Sequence, residues 1–249
     1  MRIATWNILS GRRPGAADVH QDSFAAAVGA LDADLLGLQE VDRAQPRSGG
    51  LDLTSLAASA MGSAAAVFAP ALVGLPQRWR AADGSEPAGV PAYGVAFLSR
   101  YPVTRWRTVR LPGAPLPVPY RWPGNPLPSL VRDEARVAIV ADVEAPSGPM
   151  TVVTTHLSFL PVWNGAQLRR LGRSLAPETG RLVLLGDLNM GRRRAERLTG
   201  LAPLATGSTY PAHDPARQID HLLARGLEAS SGGPVRLDVS DHQALVADL

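Results

Sequence analysis

The chain has 249 residues, 45% of them hydrophobic and 19% charged, with a formal net charge of +3; this is enough apolar material for a substantial core and too little charge for global disorder. Cysteine and lysine are both absent, which excludes disulfides, thiolate metal sites, cysteine nucleophiles, Schiff-base lysines and the phosphate-binding lysine of a Walker loop. The basic charge is all arginine, which we read as coding bias before selection for nucleic-acid binding.

The N-terminal segment Met1–Arg13 has no apolar stretch of signal-peptide length, and no segment approaches the ~18–20 apolar residues of a membrane span. The expectation is therefore a soluble, cytoplasmic protein. In chain order, short apolar runs predict strands at Ile3–Trp6, Leu35–Gln39, Val95–Ser99, Val137–Val143, Thr151–Thr155, Leu182–Leu185, Ile219–Leu223 and Leu245–Leu249. Helical spacing predicts helices at Asp22–Leu31, Leu53–Met61 (capped by Asp52 or Thr54), Gln167–Leu175 and Ala195–Leu201. Leu111–Pro128 carries seven prolines, so it is excluded as a central strand or a helix and reads as a rigid loop, either an edge cover or a lip on the active site. No repeat period and no composition shift divides the chain, so one domain over residues 1–249 is expected.

Polar groups repeatedly fall where an apolar strand ends. Asn7 follows the first strand, Glu40 the second, His156 the run VVTTH, and Asp187 and Asn189 close LVLLGDLN; Asp220 lies in QIDHLL, and Asp241 with His242 in SDH. Strand ends are rigid platforms from which side chains can converge on one cleft. Glu40, Asp187 and Asp241 are hard oxygen donors suited to Mg²⁺ or Mn²⁺, and the imidazoles add acid–base capacity near neutral pH. Oxygen ligands and histidines without cysteine or lysine point to metal-assisted hydrolysis of a phosphate ester.

The ordered set TWN, LQE, YGVAFLSRYPV, THLS, GDLN, IDHLL and SDH resembles the endonuclease/exonuclease/phosphatase superfamily, from Ala4 to Leu249. Each motif alone is weak, and seven in order are specific. The resemblance implies an α/β fold, a four-layer α/β/β/α sandwich of two packed mixed sheets with the cleft at one end. It also implies roles. Glu40 resembles the main metal ligand, with Asn7 and Asp241 beside it. Asp187 resembles the carboxylate that activates water, Asn189 the group that orients it, and His242 the imidazole facing the phosphate. Asp220 resembles the residue fixing the His242 tautomer, His156 the second imidazole, and Tyr93 a side chain facing the phosphate. Which histidine donates a proton is left open.

Two departures bear on chemistry. Leu9 stands where many relatives carry a polar residue, which favours one metal over two. The continuation GDLNMGRRR, together with His156, separates the chain from abasic-site repair relatives. His221 reads as structural, as do His20 and His213, and Arg100 as a local structural residue. Arg192–Arg194, with Arg78, Arg80, Arg169 and Arg170, would clamp a polyanion if the substrate were nucleic acid. Tyr120, Trp122 and Trp163 would stack on a base, contact lipid or pin loops. The leading expectation is an Mg²⁺-dependent phosphoesterase (Mn²⁺ as the other ion) whose partner is a phosphate-ester substrate: nucleic acid, lipid headgroup or small metabolite. The alternatives are a DNA or RNA nuclease and, in a different class, a non-catalytic binding module on the same scaffold. No stable protein partner is implied.

Overall fold

A computed structural model describes every residue except Ala17, Gln77, Ala88 and Pro123. In chain order its elements begin with β1 (Arg2–Asn7), α1 (Gln21–Leu31), β2 (Leu35–Arg43), α2 (Leu53–Met61), β3 (Ala65–Val73), β4 (Arg80–Ala81), β5 (Ala92–Ser99) and β6 (Val103–Leu111). A short arm of β7 (Val118–Tyr120) and β8 (Ser129–Val131) follows. Then come β9 (Arg136–Ala145), β10 (Gly148–His156), α3 (Pro161–Ser174), β11 (Leu182–Asp187), α4 (Arg192–Thr199), β12 (Ala202–Pro203), β13 (Asp220–Arg225), β14 (Ser231–Val235) and β15 (Ala244–Asp248).

The described strands form a seven-stranded sheet, ordered β14-β15-β1-β2-β5-β3-β4, and a six-stranded sheet, ordered β12-β13-β11-β10-β9-β6. Both are mixed: β1 and β2 run parallel in the first, β10 and β11 in the second. Period-two alternation sorts the side chains into layers. Ile3, Leu35, Val95 and Phe97 of the first sheet pack with Val137, Ile139, Val152, Val183 and Leu185 of the second in one buried cluster. The opposite faces take the helices. Phe24, Val28 and Leu31 of α1, with Leu53 and Ala57 of α2, cover Ala4, Leu36, Leu38 and Leu98. Leu168 and Leu171 of α3, with Ala195 of α4, cover Val140, Val153, Leu184 and Leu223. The result is the α/β/β/α sandwich. No helix is long and apolar enough to cross a membrane, among the described residues.

Local chemistry sets the helix ends. Asp52, not Thr54, caps α2, accepting from the amides of Thr54 (3.0 Å) and Ser55 (3.1 Å), a bond set worth about 1 kcal/mol. α3 starts at Pro161, six residues before the Gln167 start read from its leucines, because proline is preorganised for a first helical turn. α4 begins at Arg192 and not at Ala195. Seven strands (β3, β4, β6, β7, β8, β12 and β14) escaped the sequence reading, three of them for clear physical reasons. β3 holds Pro70 beside a register shift, β6 is an edge strand with arginines on its exposed face, and β14 contains two glycines and a proline. The proline-rich segment contributes β7, which pairs with β8 as a separate two-stranded sheet, so it is a built arm and not a bare loop.

Gly37 permits the two sheets to meet beneath the cleft, and Gly186 permits the close approach of β11 to β10 within one sheet. A Cβ on Gly37 of β2 would overlap Leu185 Cδ1 and Thr154 Oγ1 of the other sheet. Gly186 has φ +144°, and its Cβ would overlap the Thr155 carbonyl oxygen. Gly186→Ala should destabilise the protein by about 2–5 kcal/mol through overlap plus backbone strain. Gly180→Ala, which meets nothing within 4 Å, should change stability by less than about 0.5 kcal/mol. Urea unfolding of both variants checks this, and equal midpoints would refute it.

Candidate active site

The strand directions decide which residues meet. β10 and β11 run parallel and end together, so His156 lies in register with Asp187. β13 runs antiparallel to β11, so its first residue, Asp220, lies opposite Asp187. Asn7 ends β1 in the other sheet. A bulge in β2 between Leu38 and Val41 puts Glu40 at φ 57° and sets it at the cleft floor. Asn189 (φ 50°) and Ser240 (φ 74°) are also left-handed, so three strained non-glycine residues surround one site.

Asn7, Glu40 and Asn189 line a cleft with a volume of about 550 Å³, which also takes in Tyr93, His156, Asp187, Asp241 and His242. Asn7 Nδ2 donates to Glu40 Oε1 (3.1 Å) and Asp187 Oδ2 (3.1 Å), while its Oδ1 accepts from the Leu9 amide (3.2 Å). That last bond orients the amide so that its nitrogen lies toward the two carboxylates. Leu9 thus serves the site through its backbone. The Ser240 hydroxyl donates to the Asn7 carbonyl (2.6 Å) and accepts from the His242 amide (3.1 Å), tying the SDH loop to β1.

His242 Nδ1 lies 2.9 Å from Asp220 Oδ2, which also accepts from the Thr209 hydroxyl (2.5 Å). Its Nε2 faces Asp187 Oδ2 at 3.9 Å. Asp187 Oδ2 is also 3.6 Å from His156 Nε2, and Asp187 Oδ1 accepts from the Asn189 amide (2.9 Å). Asn189 Nδ2 donates to the Leu157 carbonyl (3.0 Å) and lies 3.2 Å from His156 Nε2. Asn164 of α3 holds this loop by donating to the Asn189 carbonyl (2.8 Å).

Charge follows from these contacts. Burial opposes the charged form of His242, but Asp220, by charge and by hydrogen bond, and then Asp187 and Asp241 raise its pKa to about 10. Burial, and after it the positive charge of Arg136, push His156 well below its ordinary range. Burial, and then repulsion by Asp220, raise Asp187 to about 7 against the pull of His242. Glu40 is raised by burial, with Asp241 adding to the rise and Asn7 opposing it. Burial, and then Glu40, push the Tyr93 hydroxyl well above its ordinary value. The two imidazoles are therefore pushed in opposite directions, His242 toward its cationic form and His156 toward its neutral one.

Several lining residues were not read from the sequence: Glu134, Arg136, Phe159, Tyr210 and Arg217. Arg136 is buried, pairs with Glu134 (3.2 Å) and reaches toward His156 Nδ1 (3.4 Å). It directly precedes the apolar run Val137–Val143. The start of an antiparallel strand lies at the same sheet edge as its neighbour's end, and that rule would have found it. His221 turns away to the Met190 carbonyl (2.8 Å), and Arg100 binds Met61 and Asp32. Trp163 does not line the cleft, whereas Tyr120 and Trp122 do.

Among the described residues, one buried group, Asp187, Asp220 and His242, has ligand atoms within 4.8 Å of one another and could hold a metal. Glu40 and Asp241 line the same cleft but stand outside that group.

The family model for the endonuclease/exonuclease/phosphatase family matches residues 4–242. The chain belongs to this family. No curated protein matches it. Among solved structures, this family member is similar to an endonuclease/exonuclease/phosphatase from Beutenbergia cavernae (22% identity, TM-score 0.70), over 99% of this chain and 70% of that one. It is similar to sphingomyelinase C from Streptomyces griseocarneus (17% identity, TM-score 0.64; 99% and 98% covered). It is also similar to a mannosyl-6-phosphatase from Bacteroides thetaiotaomicron (12% identity, TM-score 0.64; 100% and 98% covered). The superfamily's members are hydrolytic enzymes acting on phosphate esters.

The His242 charge is testable. Its folded pKa lies above the unfolded value of roughly 6.5, so its stabilisation is complete below that value and is lost as pH rises through about 10. Asp220→Asn should lower the His242 titration seen by NMR by at least about two units and abolish the matching loss of stability between about pH 7.5 and 10. An unchanged His242 titration would contradict the assignment.

Proposed function

We propose that this chain is a single-domain, divalent-metal-dependent phosphoesterase that cleaves a phosphate ester by attack of water. The reading is carried by one observation: the Asp220–His242 pair faces Asp187, with His156 and Asn189 on the far side, at the floor of one open cleft. Asp220 keeps His242 protonated, and the imidazolium presents Nε2–H to a phosphate oxygen. Asp187 titrates near neutrality, which suits a group that orients and deprotonates water. Asn189 is held by Leu157 and Asn164 and supplies an amide beside the same carboxylate. His156, favoured in its neutral form by burial and then by Arg136, is a hydrogen-bonding group rather than an acid, and Tyr93 walls the phosphate side.

Glu40 and Asp241 face the cleft, Asp241 adds to the burial that raises the Glu40 pKa, and neither makes an ion pair with a basic side chain among the described residues. Two such carboxylates fit a hard divalent cation, Mg²⁺ or Mn²⁺. The buried Asp187–Asp220–His242 group fits less well, because Asp220 Oδ2 is already occupied by His242 and Thr209. Glu40 and Asp241 would hold the ion, which would supply Lewis-acid neutralisation of phosphate charge.

The nuclease alternative loses much of its support. Arg80 pairs with Asp83 and Glu86, Arg192 with Glu196, Arg170 with the Arg110 carbonyl, and Arg194 with the Pro161 carbonyl. Most of the proposed polyanion clamp is therefore engaged in local structure.

With Mg²⁺ and bis-p-nitrophenyl phosphate, Asp187→Asn and His242→Ala should each lower turnover by about 10²–10⁴-fold while circular dichroism stays unchanged. Chelation by EDTA should abolish wild-type turnover, and Mg²⁺ or Mn²⁺ should restore it. Near-normal rates in either variant, or EDTA-insensitive turnover, would overturn the reading.

A further inference from the structure

Among the described residues seven large apolar side chains are exposed, and five of them gather beside the cleft. Leu116, Trp122, Leu127 and Leu130 lie on or next to the β7–β8 arm, and Val162 opens α3. The four aliphatic chains are 73–76% exposed, far from the burial such residues normally find. The arm is anchored, not loose. Tyr120, Trp122 and Phe159 form a closed aromatic triangle with ring centroids 4.9, 5.2 and 5.5 Å apart, and all three rings line the cleft. Trp122 Nε1 donates to Ser129 Oγ (3.1 Å), closing the arm on itself.

The charge of the arm is one-sided. From Pro112 to Arg132 there is no acidic residue, while Arg121 and Arg132 are exposed. Its backbone is equally selective. Pro119 pairs with Leu130 but has no N–H, so the ladder bonds fall to its neighbours Val118 and Tyr120 and the outward edge at Pro119 lacks a donor. Pro117 and Pro128 repeat the loss at the same two-residue spacing. An incoming peptide strand finds few donors there, so strand addition is disfavoured. Isolated leucines with flanking arginines, an interfacial tryptophan and no acids match an apolar boundary topped by phosphates.

We propose that the arm is an interfacial anchor for a phospholipid bilayer. Leu116, Leu127 and Leu130 enter the headgroup–acyl boundary, Arg121 and Arg132 meet lipid phosphates, and the adjoining cleft receives a lipid headgroup ester. The substrate clause rests on the phosphoesterase reading above; the anchoring clause does not.

The test is co-sedimentation of the full chain with vesicles of phosphatidylcholine containing phosphatidylserine, beside turnover of soluble bis-p-nitrophenyl phosphate. The variant combines Leu116→Ser, Leu127→Ser and Leu130→Ser. Vesicle partitioning should fall at least about tenfold, and soluble turnover, which also reports folding, should stay within about twofold of wild type. Wild-type protein left in the supernatant, or equal binding by the triple variant, overturns the anchor. A concentration-dependent dimer that the triple variant loses, without vesicle binding, assigns the patch to a second copy and also overturns it. Vesicle binding with no soluble turnover leaves the anchor standing and sinks only the phosphoesterase reading.

Discussion

One side-chain amide holds a carboxylate from each sheet. Asn7 Nδ2 lies 3.1 Å from both Glu40 of β2 and Asp187 of β11. Two buried acids so placed would repel, and the bridging donor offsets part of that cost. The same residue is fixed from behind by the Leu9 amide and from its carbonyl by Ser240. This amide therefore ties the two sheet ends together at the cleft. Gly37 allows the approach, and the Thr5–Gln39–Thr154 hydrogen bonds fill the layer beneath with a satisfied polar network.

The site divides two chemically identical imidazoles into different states. His242 meets a buried carboxylate at Nδ1, which favours its cationic form; His156 is buried beside a guanidinium, which favours its neutral form. Neither state is a property of histidine. Each comes from which partner the fold delivers, in a setting where water screens little. Asp187 lies between them and sits near neutrality because burial and Asp220 push its pKa up while His242 pulls it down.

Strain is concentrated where the chemistry is. Glu40, Asn189 and Ser240 hold left-handed backbone that costs roughly 1–3 kcal/mol each. Glu40 is held in place by the Asn7 amide, Asn189 by Asn164 and Leu157, and Ser240 by the Asn7 carbonyl. These bonds cross between distant segments, so the site is stable only once the sandwich has closed. The proline-rich arm beside it is built differently. It pairs with itself and leans on Phe159 through aromatic packing.

The amino-acid sequence alone determined the two-period apolar strands, most helices and the polar residue at each strand end. Those signals are local: alternation and an abrupt change from apolar to polar are visible within ten residues. The family motifs from TWN to SDH then carried the layered fold. Tertiary structure alone decided that the Asn7 amide bridges Glu40 and Asp187, that Arg136 and Tyr210 join the cleft, and that the two imidazoles are pushed in opposite directions. Asn7 answers to Leu9, Glu40 and Asp187, Arg136 enters because antiparallel β9 starts where β10 ends, and His242 takes its charge from Asp220, 22 residues earlier. Orientation and protonation depend on through-space partners, and spacing along the chain does not encode them.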